Sequence, residues 1–577
     1  MNQTRSFLLI AWLVVATLLW IEWSKNPGGL AVAPATSAVP GPTATSTSPP
    51  INAPLPAAGG DAPLPAAAAT PALPGVVGPI VDATSQPVTI ANDVLRLTVD
   101  LHGGRLIDSQ LLQYSEEKKP GSPNVHLLNS VPALYYAADA GLISVDEKNQ
   151  QHELAPQFRT ESGATEFVLP AGASSLAVPL SWSDPASGLT VRRTLTLKRG
   201  SYVLELADQV SNSGAALQNL YPFVRLSRVA PPPPPKHSFM TNPETFSFIG
   251  GAWHSPEENY GKAKLAEFGV KKMPTAESAG VWIAMLQHHF VSAWVPLANE
   301  KQVMQTSVSS HDGAPLYSIR SVATPLAIAP GTSRTHESRL WVGPKLQAPL
   351  AVLAPALDLT VDYGKLSFIA RPLFWLLSWL HLLFGNWGWA IIAIVVLLKA
   401  ALYPLSAKQY QSMAKMRAVQ PRIEALKERY GEDKQQFQIA MMELYKKEKI
   451  NPIGGCLPML IPIPIFLGLY WVLLETVELR HAPWMGWIQN LTAADPYFIL
   501  PAMNLIVMYL TQKLTPMPGM DPIQKKMMQF MPLVFGVMMA FFPSGLVLYW
   551  VTNGLLGLAQ QWWMTKRHGP RSPVVAK

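Results

Sequence analysis

The chain holds a single cysteine, Cys456, among 577 residues, so no intramolecular disulfide can form and no cysteine-based zinc site is available. It has no Walker-type phosphate loop and no His-Glu-x-x-His pair, which removes the usual sites for nucleotide-driven transport and zinc proteolysis. Paired halves of the kind that build inverted-repeat transporters are missing too. Charged residues are sparse, at 14%. Proline is abundant instead, with 54 residues, far above the usage of an average domain. A membrane protein with a proline-rich tether fits this balance, and the length calls for more than one folding unit, because single cores stop growing near ~250–300 residues.

Charge is also uneven. Residues 26–365 carry 23 Lys and Arg against 26 Asp and Glu. The excess behind the net charge of +8 therefore lies among the apolar spans and at the C-terminus, where orientation signals act.

Residues 1–25 place Arg5 ahead of an apolar run from Phe7 to Trp20, followed by Glu22, Trp23 and Lys25 rather than a small-residue cleavage site. An uncleaved transmembrane anchor is expected. Residues 26–85 are Pro, Ala, Thr and Ser with few large apolar groups, so they form an extended linker that cannot offset its ordering entropy by burial. From 86 the period becomes two: Leu95, Leu97, Val99 and Leu101 alternate with Arg96, Thr98 and Asp100. A hairpin is predicted where Leu195 and Leu197 precede the Arg199-Gly200 turn and Tyr202, Leu204 and Leu206 follow it. Short runs of this type continue to 345, which predicts a β-sandwich over 86–345.

Residues 346–386 contain a helix in which Ser367, Arg371, Ser378 and His381 share one narrow stripe, the pattern of a helix lying in the membrane surface. A second span is expected over 387–405 and four more within 451–565, making six with the anchor. Between them, 406–450 carries ten basic and six acidic groups. Met413, Met416, Ile423, Leu426 and Tyr430 mark one apolar stripe there, and Phe437, Met441, Leu444 and Tyr445 a second, which reads as a helical hairpin bent at Pro421. The basic loops and the tail 566–577 lie on one side, so both termini are expected in the cytoplasm and the β unit outside it.

Lys399 sits in the middle of the second span. An ionised group at that depth costs about 2.5–3.5 kcal/mol on insertion scales and normally faces a wet, protein-lined cavity. It lies ~15 Å from Trp389 at one end of the span, too far for easy snorkelling. The acidic candidates, Glu475 and Glu478, fall at the outer end of the third span, so Lys399 is expected to lack a partner carboxylate. Asn504, Gln529, Tyr549, Trp550, Thr552, Asn553 and Gln560 are the candidate lining of a hydrated groove; cross-helix hydrogen bonding among themselves is the plainer reading. An unpaired cation in a low-dielectric groove attracts an anion: an inorganic ion, an acidic metabolite, or the acidic flank of another polypeptide. Methionines crowd the hairpin and the last spans, and flexible thioethers suit many apolar sequences, which favours the polypeptide.

The stretch from Gly385 to Gln435, the run Met441–Phe466 and the sequence Phe541–Asn553 closely resemble the YidC/Oxa/Alb insertase family over about 350–565. The anchor, tether and β unit resemble its Gram-negative layout. The resemblance implies a polytopic α-helical membrane protein with a five-helix insertase core and a periplasmic all-β supersandwich domain. It implies a non-enzymatic insertase and chaperone in the bacterial inner membrane, without cofactor or metal. Nascent membrane proteins would be its clients; the Sec translocon with its accessory proteins, the ribosome, the signal recognition particle pathway and the lipid bilayer would be its partners. It also implies a groove open to cytoplasm and lipid but closed toward the periplasm, with one positive residue, usually Arg, at the position of Lys399; Lys lacks the planar fork and can lose its proton when desolvated. Lys415, Met416, Arg417, Arg422, Glu424, Lys427 and Arg429 would form the recruitment face of the hairpin. Two other readings stay open: an anion channel or exporter, and a membrane-anchored periplasmic carbohydrate-active enzyme. For the second, His102, His126, His237, His254, His288 and His289 are scattered.

Overall fold

The computed structural model describes residues 87–146, 148, 150–232, 247–274, 276–297, 299–430, 433–448, 462–514 and 522–568. The expected anchor, the linker, Cys456, His237 and the end of the tail lie outside the described residues, as do the side chains of Lys408, Met413 and Arg417.

The described residues between 88 and 344 form 21 strands in two sheets, one of twelve and one of nine. The alternation that predicts strands is what packs the sheets together. Leu95, Leu97 and Val99 are fully buried while Arg96 is exposed. Asp100, expected on the outer face, is buried and its carboxylate accepts the amide of His102 at 3.0 Å, so a local turn overrides the period at the strand end. The predicted hairpin is present as Leu189–Lys198 against Val203–Asn212, with Leu195 opposite Leu206 and Leu197 opposite Leu204. Gly200 holds φ 67° in its turn, a conformation that glycine adopts without a Cβ penalty. Trp253, Trp282 and Trp294 are wholly buried in the core.

Among the described residues nine α-helices follow: α1 (Gln347–Leu353), α2 (Ser367–Phe384), α3 (Trp387–Ala401), α4 (Tyr403–Tyr430), α5 (Lys434–Lys447), α6 (Pro462–Glu475), α7 (Ile499–Leu514), α8 (Pro522–Met539) and α9 (Ser544–His568). Leu377 of α2, Ile391 and Ile394 of α3, Leu469 and Val472 of α6, and Leu546 of α9 share one core. Asn386 starts α3 by accepting from the amides of Gly388 and Trp389, satisfying donors that have no intrahelical partner. Within α2 three residues of the expected polar stripe are spent locally: Ser367 donates to Gly364 O at 2.6 Å, Arg371 pairs with Asp358 at 3.2 Å and His381 stacks on Trp387, while Ser378 Oγ is buried with no partner among the described residues. Phe368, Trp375, Trp379 and Leu382 are left on an exposed apolar face.

By length and composition, Gly364–Phe384 is the one described helix long and apolar enough to cross a membrane, and it is the segment whose pattern reads as lying in the surface. The other apolar helices recognised by that measure are shorter; α3 has 15 residues, about 22 Å against a hydrocarbon layer of about 30 Å. The chain does not stop there: after Leu402 it re-enters α4, which runs 28 residues through Pro421. α4 and α5 fold back on each other around Val419, Ile423, Phe437, Met441 and Tyr445, and Asp433 caps α5.

Candidate functional site

Lys399 lies in the last turn of α3, where the helix dipole favours a cation. It is half-buried, and α3 packs against α9. One point of approach is at Gly557, where an added Cβ would stand 3.5 Å from Lys399 Nζ. The ammonium therefore lies in van der Waals reach of the α9 surface at this glycine. Asn553 and Gln560, four residues before and three after Gly557, share its helical face, and both are half-buried.

No carboxylate among the described residues acts on Lys399. Glu475 is buried at the far end of α6 beside the charge of Lys345. Glu478 lies beyond α6, and burial pushes its carboxyl up to about 7.

The other expected lining residues are dispersed. Asn504 is buried on α7 and spends its amide on Met508 Sδ of the same helix, 3.7 Å away. Tyr549 and Trp550 belong to an aromatic cluster: Phe466 lies 6.0 Å from the first and 4.9 Å from the second, and Phe535 packs 5.2 Å from Trp550. Trp550 Nε1 is buried without a hydrogen-bond partner among the described residues. Thr552 is half-buried on α9, five residues before Gly557 and so about 140° round the helix from it. Gln529 is exposed on α8 among Met527, Met528, Phe530 and Met531. The structure thus gathers Lys399, Asn553 and Gln560 about Gly557 and leaves Asn504 and Gln529 elsewhere. Sequence reading missed Gly557, because a glycine in an apolar helix carries no chemical signal of its own; its spacing from Asn553 and Gln560 was the available clue.

On the hairpin, Arg422 pairs with Glu448 at 2.6 Å, Glu424 accepts from Gln420 at 3.3 Å, and the Arg429 guanidinium lies 5.5 Å from the Tyr430 ring. Lys415 and Lys427 are exposed and Met416 packs against the hairpin core.

The described histidines of the β unit do not converge on one centre. His126 pairs with Asp108, His102 bonds Gln157 and His254 bonds the Asn259 carbonyl; only His288 and His289 meet, stacked at 3.7 Å. Among the described residues, no group of three or more His, Cys, Asp or Glu is placed to hold a metal.

Two family profiles match the chain, "YidC periplasmic domain" over residues 87–376 and "60Kd inner membrane protein" over 379–571. The membrane protein insertase YidC of Stenotrophomonas maltophilia is 52% identical over 99% of this chain and 97% of its own length. That of Xanthomonas euvesicatoria pv. vesicatoria is 49% identical over 99% and 98%. A crystal structure of an active YidC insertase with its first transmembrane domain resolved aligns with 83% of this chain and 92% of its own, at 18% identity and a TM-score of 0.37.

Proposed function

This chain belongs to the YidC family of membrane protein insertases, and on that premise we propose that it brings nascent inner-membrane proteins into the bilayer by electrostatic capture at Lys399. The observation that carries the reading is an ammonium group half-buried against a glycine, with no carboxylate among the described residues to neutralise it. A charge kept in a low-dielectric place without a partner is expensive, and the cost is offset only when an anion arrives.

The sequence of events follows from the chemistry of the parts. The exposed basic face of the α4–α5 hairpin receives a client at the cytoplasmic side. Lys399 then draws the client's short acidic or polar flank part-way across, which shortens the remaining polar path. The apolar segment leaves along α6 and α8, whose exposed Ile463, Leu467, Met527, Phe530, Met531, Val534 and Val537 offer it an apolar face, and it gains burial free energy in lipid. With the cytoplasm negative, each acidic charge moved outward gains about 2.3 kcal/mol per 100 mV. No covalent step is required. In this reading both termini and the hairpin lie in the cytoplasm and the β unit in the periplasm. The Sec translocon with its accessory proteins, and the ribosome with the signal recognition particle pathway, are the expected partners for clients too long to cross unaided.

The test is insertion of a small client with an acidic outer tail into vesicles holding the purified chain. Lys399→Ala should slow insertion about tenfold, the equivalent of ~1.4 kcal/mol, and Lys399→Arg should preserve it. Equal insertion by all three forms would remove Lys399 from the mechanism.

A further inference from the structure

The loop joining α6 to α7, residues 476–498, closes one end of the helical unit. Trp484 covers Gly388 so closely that an added Cβ would stand 2.1 Å from its ring, and it meets Trp389 edge-on at 5.8 Å. Asn386 donates to the Trp484 carbonyl at 2.9 Å. On the other side, the amide of Ser544 donates to Ala493 O at 2.7 Å and that of Gly545 to Leu491 O at 2.9 Å. Leu479, Ile488 and Leu491 are buried in the helical core. The loop thus seals the N-terminal ends of α3 and α9, about 18 Å along α3 from Lys399.

The β unit grips that loop. Leu474 O belongs to the last turn of α6, whose carbonyls have no intrahelical donor. His288 Nε2 and His289 Nε2 approach it at 2.9 and 3.1 Å, and one carbonyl has two lone pairs to accept both. Both rings are buried. Burial, with Lys345 adding to it, pushes His288 down to about 4; burial and the neighbouring ring hold His289 well below its ordinary value. At neutral pH each ring is therefore uncharged with one N–H, carried at Nε2. Around this cap, Arg480 Nη2 donates to Glu116 O at 2.9 Å with its guanidinium 5.6 Å from the Phe290 ring. The Lys118 ammonium donates to the carbonyls of His481 and Gln489, and Val477 is buried in the β core itself.

We propose that the β unit is the clamp of an outer plug: His288 and His289 cap α6, and Lys118 and Arg480 tie loop 476–498 to the β sheets, so that the helical unit stays shut at this end while clients enter at the other. The proposal rests on the reading of Lys399 given above, in that it supplies the closed end which that reading requires.

The experiment uses the full chain in lipid vesicles. Hydrogen exchange is followed across 472–498, and chloride leak is measured with an entrapped fluorescent indicator. The double variant His288→Ala/His289→Ala should speed exchange in the loop about tenfold or more and raise the leak. His288→Gln/His289→Gln, which keeps an amide donor at each position, should restore both. Exchange in the strands 189–212 reports whether the β unit is folded; should the alanine pair unfold it, Lys118→Met/Arg480→Met, one residue on each side of the contact between the β unit and the loop, gives the same readout. Exchange and leak at the original level in a folded variant would overturn the clamp. Lys399→Ala, by contrast, should lower insertion without raising the leak, so that each idea fails on a different measurement.

Discussion

Two arginine networks of the β unit and the lysine of the helical unit meet their charge in different ways, although Arg228 of the β unit is also buried without a carboxylate, donating to Gln287 Oε1 and lying 4.9 Å from the Tyr136 ring. In the β unit, Arg193 is 1% exposed, yet both its fork nitrogens bond the Asp208 carboxylate at 2.7 Å and its remaining donors reach the carbonyls of Ala140, Gly104 and Gly103. A second network runs across the twelve-stranded sheet: Arg105 and Arg225 share Asp139, while Arg225 and Arg320 share Glu153. These cations are neutralised by carboxylates within the unit. In the helical unit, Lys399 has no carboxylate among the described residues acting on it. On the proposed reading of Lys399, the difference would separate structural charge from working charge: a closed pair belongs to the fold, whereas an open one is available to a client.

The contrast can be broken most forcefully at Arg193. Arg193→Ala strands the buried Asp208 carboxylate and should cost about 3–5 kcal/mol, read as a large fall in the thermal midpoint of the β unit. Lys399→Ala should instead change stability by under ~1 kcal/mol while insertion falls; a destabilisation equal to that at Arg193 would make Lys399 a structural charge as well. Acid sharpens the comparison. Burial raises the Asp139 carboxyl, but Arg105 and Arg225 outweigh it and hold the group below its ordinary 3.8. Its stabilising share is therefore present above about pH 4 and lost as pH falls through the lower folded value, so the β unit should lose stability steeply with acid in a way that Asp139→Asn abolishes. Asn386→Ala removes a neutral cap from α3 and should cost ~1 kcal/mol in denaturant titrations. Smallest of all, Arg422→Ala breaks the exposed pair with Glu448, and its effect should stay within ~1 kcal/mol.

Some of this contrast was readable in advance. Arg193 and Asp208 both break the apolar alternation of their strands, and they sit directly opposite each other in the hairpin register, so a paired charge on the inner face follows from period two alone. The helical hairpin was readable for the same reason, because the stripes Met416–Tyr430 and Phe437–Tyr445 are the ones that meet. Gln529 was a poorer guide. Its amide marked it as a candidate for groove lining; it is exposed on α8 among exposed methionines and Phe530, and a polar residue in an apolar helix does not by itself reveal which way that helix turns.

The sequence by itself determined the kinds of unit and the oddity at their heart: a β-rich stretch, a set of apolar helices, and one cation in the middle of an apolar run. Those are local properties, set by periodicity and by the cost of placing charge among apolar neighbours. Only the tertiary structure decided that Gly557 stands opposite Lys399, that the two glutamates stay far from it, and that two histidines of the β unit cap a helix more than 180 residues onward. Such pairings depend on how separate elements cross and pack, and the spacing of residues along one chain carries no record of the neighbours that packing will supply.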